Sequence, residues 1–84
     1  MASFAKDMRS ARVAVERVLD EIGVDDYVYK VEPKESGWSV HVECAVEDGW
    51  KEVDVPVDPD ELRASVHDLR IRSRLRKAWQ PHFA

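Results

Sequence analysis

At 84 residues the chain has room for one small domain that buries roughly 60–65% of its unfolded surface, which leaves a thin core and little space to enclose a substrate. Its 44% hydrophobic and 36% charged residues place it among globular rather than disordered chains, and a formal charge of −4 disfavours general binding of polyanions. The single cysteine excludes an internal disulfide and a thiolate zinc cluster.

The average charge conceals a polarity. Residues 1–23 carry four cations and four anions, residues 24–56 nine acids against three lysines, and residues 57–84 six bases against four acids. A fold that keeps these segments apart is an electrostatic dipole. No run approaches the ~20 apolar residues that span a bilayer. The N-terminus also lacks the charged-then-apolar pattern of a secretory signal, so the expectation is a cytoplasmic chain without membrane contact.

In chain order, residues 3–22 read as an amphipathic helix. Phe4, Met8, Ala11, Val15, Val18 and Ile22 recur at spacings of four and three, with Leu19 widening the stripe. Ser3 is placed to cap its start, and Gly23 stands where a left-handed residue ends a helix. The stripe also fits a coiled-coil seam, but a helix covering its own sheet is the favoured reading.

Three strands follow. In Tyr27–Glu32, Tyr27, Tyr29 and Val31 point one way and Val28, Lys30 and Glu32 the other. Residues 33–37 have turn composition. Then Trp38, Val40, Val42, Cys44 and Val46 alternate strictly with polar or small residues, the mark of a strand with one face in a core and one in water. Asp48-Gly49 predicts a two-residue hairpin turn in which Cys44 faces Val53, Val42 faces Val55 and Val40 faces Val57. That register sets Glu43 opposite Asp54 on the polar face, with Glu47, Glu52 and an outward Trp50 nearby. Pro56 is expected to end the third strand.

Asp58-Pro59-Asp60-Glu61 announces a helix: an Asp cap, Pro in the first turn and Glu at the third position. Its stripe is Leu62, Val66 and Leu69. From Leu69 the text alternates as a strand would, yet Ile71, Leu75 and Ala78 or Trp79 form a second helical stripe rotated from the first. A helix over 59–79, kinked or restarted at Ser73, is favoured over a strand at 69–76. Pro81 should stop it, leaving 79–84 as a tail whose Trp79 and Phe83 belong either to the core or to an interface. The predicted fold is α+β, ordered α-β-β-β-α: a three-stranded antiparallel meander with both helices packed on its apolar face. This order is similar to that of double-stranded-RNA-binding domains. The resemblance implies topology alone, because that family grips phosphates with lysines at the start of its final helix, where this chain has Asp58, Asp60 and Glu61.

Chemistry-bearing motifs are scarce. No two histidines stand at metal-ligand spacing, no phosphate-cradling glycine loop occurs, and Cys44 lies on the apolar side of its strand. His41 with Glu43 and Asp54 is the one cluster that the strand pattern projects from a single face. No catalytic residue, metal or cofactor is assigned, and the expected class is not an enzyme. The leading expectation is an interaction or accessory domain whose partner is a protein, a second copy of this chain included. Its contacts would be Trp50, Glu43, Glu47, Glu52 and Asp54, or the arginine-rich C-terminal element with Trp79 and Phe83. The alternative is a nucleic-acid-binding module using Arg70, Arg72, Arg74, Arg76 and Lys77, for which five phosphate contacts imply a salt slope of about −4.5 on duplex DNA.

Overall fold

The structure, a computed structural model, describes residues 3–83, with side chains from Arg9 onward. The order is α1 (Ser3–Ile22), β1 (Tyr27–Lys34), β2 (Gly37–Val46), β3 (Gly49–Val57), α2 (Pro59–Ala64) and α3 (Leu69–Phe83). The three strands form one antiparallel sheet in the order β1-β2-β3, and the helices cover one of its faces. The expected α+β layout is therefore present, with its last helix divided in two.

In α1 the buried positions Ala11, Ala14, Val15, Val18 and Leu19 follow the helical period and form one apolar stripe. Phe4, Met8 and the capping side chain of Ser3 lie outside the described side chains. The helix ends as expected at Gly23, whose φ of 92° no β-carbon opposes. Val24 N–H reaches Leu19 O at 3.1 Å and Gly23 N–H reaches Asp20 O at 3.1 Å, so the last carbonyls are satisfied by a Schellman turn. Two phenols then tie the helix to β1. Tyr29 Oη donates to Glu16 Oε2 at 2.5 Å, and Tyr27 Oη donates to Asp20 Oδ1 at 3.2 Å. Burial, with these carboxylates, raises both phenols, that of Tyr27 to about 12.

The sheet departs from expectation in its register. Strands β1 and β2 stay paired from Tyr27↔Cys44 to Lys34↔Gly37, so only Glu35 and Ser36 turn, not residues 33–37. Between β2 and β3 the turn is Glu47-Asp48, with Gly49 already paired to Val46. Neither turn residue has positive φ; Gly49, at 137°, supplies it one position later. The turn that demands positive φ at both centres therefore does not form. Every cross-strand pair slips by two residues from the expected one. Cys44 faces Lys51 rather than Val53, Val42 faces Val53, Val40 faces Val55, and Trp38 faces Val57. A slip of two leaves each side chain on its predicted face, because the strand period is two. Pro56 lies inside β3 rather than ending it, which an edge strand tolerates.

The C-terminal half is corrected most. Asp58 caps α2 as expected, accepting from Asp60 N–H at 2.8 Å and Glu61 N–H at 3.3 Å. The helix then stops at Ala64, not Ser73. Asp68 starts α3 by accepting from Arg70 N–H at 2.9 Å and Ile71 N–H at 3.4 Å. The cause is geometric. Leu62 and Leu75 are thirteen residues apart, about 140° apart around a straight helix, so one helix could not bury both on the same sheet. With the break, Leu62, Leu75 and Trp79 are all buried.

Leu69, expected in the core, is 70% exposed, since as the first residue of α3 it faces away from the Leu75 stripe. Residues 69–76 are helix, and the alternation of arginines there is incidental to it. Pro81 does not stop the helix, which runs on to Phe83 with Pro81 in its last turn. Nor do residues 79–83 form a tail: Trp79 is 1% exposed and Phe83 packs against the core. Arg17 Nη1 donates to Val66 O at 3.2 Å, and Glu21 pairs with Arg72 at 3.3 Å and Arg76 at 3.9 Å, so α1 holds the α2–α3 arm in place.

Replacing Trp79 by Ala should cost about 3–5 kcal/mol, enough to unfold much of a domain this small. Leu69→Ala should stay within about 0.5 kcal/mol. Urea unfolding followed by circular dichroism separates the two, and equal losses would contradict this packing.

Candidate functional site

All described helices pack on the inner face of the sheet, formed by Val40, Val42, Cys44, Val53, Val55 and Val57. The outer face keeps the alternate residues. Across the strands its rows read Val28–Glu43–Glu52, Lys30–His41–Asp54 and Glu32–Ser39–Pro56, with Ala45 opposite Trp50 at the hairpin end.

His41 is the hub of this face. Its Nδ1 stands 2.8 Å from Asp54 Oδ1, and since a carboxylate only accepts, Nδ1 carries the proton that it donates. The ring is thereby held with Nε2 directed at two further acids, 3.6 Å from Glu43 Oε2 and 3.5 Å from Glu52 Oε1. The hydrogen bond to Asp54 is the main cause that raises the His41 pKa above 6.5; partial desolvation opposes it, and the charges of Asp54, Glu43 and Glu52 add to it. Lys30, cross-strand from His41, leans toward Glu32 at 4.0 Å. Glu43 and Glu52 are directly opposed, an arrangement of like charges that costs a few tenths to about 1 kcal/mol without a cation between them.

Sequence reasoning set Glu43 against Asp54; the slipped register brings Asp54 to His41 and Glu52 to Glu43. Glu52 thus joins His41, a convergence that the strand pattern alone did not give. Glu47 stands apart, in the turn. Trp50 is 65% exposed and Val28 59% exposed, so the two flank the acids as apolar surface. His67 and His82 lie elsewhere, in the α2–α3 link and the last turn of α3. His41, Glu43, Glu52 and Asp54 lie on an open sheet face; the grooves at the sheet ends are lined by other residues, such as Lys34, Trp38 and Pro56 at one end and Val24, Lys51 and Phe83 at the other.

The basic run divides. Arg72 and Arg76 turn toward Glu21, while Arg70, Arg74 and Lys77, spaced four and three apart, are exposed along one stripe of α3. Comparison with known protein families, curated proteins and solved structures finds no match. No described helix is long and apolar enough to cross a membrane.

The raised His41 pKa sets a pH signature. Protonated His41 is favoured by the fold, so its contribution to stability is complete below about 6.5 and fades as pH rises through the higher folded value. In a proton NMR titration of the metal-free chain, His41 should titrate above 6.5, and Asp54→Asn should lower its midpoint. A midpoint unchanged by that substitution would sever His41 from Asp54.

Proposed function

We propose that the chain is a protein-interaction module that docks a cationic segment of its partner across the outer face of the sheet. The observation that carries this reading is Trp50, 65% exposed on a face where Glu32, Glu43, Glu52 and Asp54 outnumber Lys30 and His41. Large aromatic residues left in water are costly to solubility and are typical anchors of interfaces, where they bury much area with little loss of side-chain freedom. Carboxylates around such an anchor select and steer a basic partner more than they add affinity. The segment that builds this face, residues 24–56, holds nine acids against three lysines, which gives the attraction its range. Nothing in this reading requires catalysis.

Capture experiments from extracts of the native host, treated with nuclease, test it. Proteins retained by the wild-type chain should be lost with Trp50→Ala and weakened by Glu43→Gln with Glu52→Gln; retention unchanged by both would end the proposal. A second copy of the chain also offers cations, on α3, so sedimentation at several concentrations shows whether the partner is the chain itself.

The exposed stripe Arg70, Arg74 and Lys77 supports a second reading, as a nucleic-acid contact. Glu21 engages two of the five cations expected to serve it, and Arg70 stands 3.8 Å from Asp68, so the salt slope on duplex DNA should be about −2.7 at its steepest rather than about −4.5. Fluorescence anisotropy with a labelled duplex across salt concentrations measures that slope. No binding at low salt would remove this reading.

A further inference from the structure

The spacing around His41 Nε2 is that of ion pairs and not of a hydrogen-bonded cluster. Asp54 takes the Nδ1 proton, so Nε2 is the ring atom left to face Glu43 and Glu52. A charge-assisted N–H···O bond closes to about 2.7–2.9 Å. Nε2 stands at 3.6 and 3.5 Å from the two carboxylate oxygens, too far for a hydrogen bond to either. Two ligand atoms that share one tetrahedral ion at about 2.0–2.2 Å are separated by roughly 3.3–3.6 Å, as the tetrahedral angle dictates. The observed separations fall at that edge length. The third edge, between the Glu43 and Glu52 carboxylates, is within 4.8 Å and shortens by rotation of the flexible glutamate side chains.

We propose that His41 Nε2 and one carboxylate oxygen each of Glu43 and Glu52 bind a single first-row divalent cation of the zinc type, with Asp54 orienting the imidazole. One imidazole nitrogen and two carboxylate oxygens form a mixed nitrogen–oxygen donor set suited to such an ion, with a fourth position left to water. The contact from Nδ1–H to Asp54 is the one that fixes ring orientation and raises ligand basicity in metal-bound histidines. The frame is also rigid: His41 and Glu43 are two residues apart on β2, and Glu52 is the cross-strand partner of Glu43. A dication between Glu43 and Glu52 relieves the repulsion of two like charges set opposite one another. This site shares Glu43 and Glu52 with the docking proposal but involves neither Trp50 nor a partner, so zinc binding to the isolated chain succeeds or fails whether or not a partner docks.

Zinc chloride titrated into the full chain by calorimetry, in parallel with nitrogen–proton NMR of the histidine rings, tests the site. One ion per chain should bind, and the His41 Nε2 resonance should move while those of His67 and His82 stay. Glu43→Gln and Glu52→Gln should each weaken binding at least about tenfold, and Asp54→Asn by about 10–100-fold. Glu47→Gln, in the adjacent turn, should change nothing. The proposal is overturned if zinc perturbs His67 or His82 in place of His41, if Glu52→Gln binds as the wild type does, or if no saturable binding is seen up to roughly millimolar zinc. The NMR arm uses the unmodified chain, so the outcome does not depend on any variant's folding.

Discussion

Val40, Val42 and Cys44 have almost no contact with water, while His41 and Glu43, threaded between them, keep theirs. This one-sided burial of β2 is the constraint on which the rest of the structure depends. A central strand with both neighbours paired has spent its backbone hydrogen-bonding capacity within the sheet, so only its faces remain to be assigned. The valines assign one face to the helices. Each buried valine or leucine contributes roughly 1.5–3 kcal/mol, and so small a domain cannot forgo several of them. The other face is left to water by default, and the polar residues that the alternation puts there become neighbours whether or not their charges agree. The cluster of His41 with three carboxylates is thus a by-product of core formation that the chain then has to manage. Asp54 does part of this by holding the imidazole.

How much of this was legible in the sequence follows from which physical quantity each pattern encodes. Period-two alternation encodes parity, and parity was right for the buried Val40, Val42, Cys44, Val53, Val55 and Val57 and for the outward His41, Glu43, Glu52 and Asp54, while Val46, on the apolar side by alternation, is 47% exposed at the hairpin end. It does not encode register, because a slip of two residues preserves it; only the turn decides, and Asp48-Gly49 suggested a turn whose backbone conformation Asp48 does not adopt. Hence the membership of the outer face was readable, while the pairings His41–Asp54 and Glu43–Glu52 were not. The helical half shows the complementary limit. Two apolar stripes, Leu62 with Val66 and Leu69, and Ile71 with Leu75 and Ala78 or Trp79, were visible and out of phase. The division is marked by Asp68, a capping residue directly before Leu69, and not by Ser73. Once Asp68 begins a new helix, Leu69 is exposed and Trp79 buried without further assumption.

The charges inside the fold divide as they do along the chain. Acids line the outer face of the sheet, whereas the exposed cations Arg70, Arg74 and Lys77 belong to a helix in the layer on the other side. Glu21 accounts for why only part of the basic run remains outward: it draws Arg72 and Arg76 back onto α1. Those contacts, with the bond from Arg17 to the Val66 carbonyl, fasten the first element of the chain to the last two. The acidic and basic surfaces are therefore separated by a packed core rather than joined by a flexible arm.

The two-residue freedom between β2 and β3 also bears on how such a chain can change in length. Adding or removing two residues at Glu47-Asp48 keeps the pairing of β3 with β2 or shifts it by an even number, and either way leaves both faces where they are. A single insertion, unless a bulge absorbed it, would turn the strand over, carrying Glu52 and Asp54 beneath the helices and lifting Val53 and Val55 into water. Drift in this turn is filtered by odd and even, and the outer face can acquire new pairings among the same residues long before it acquires new residues.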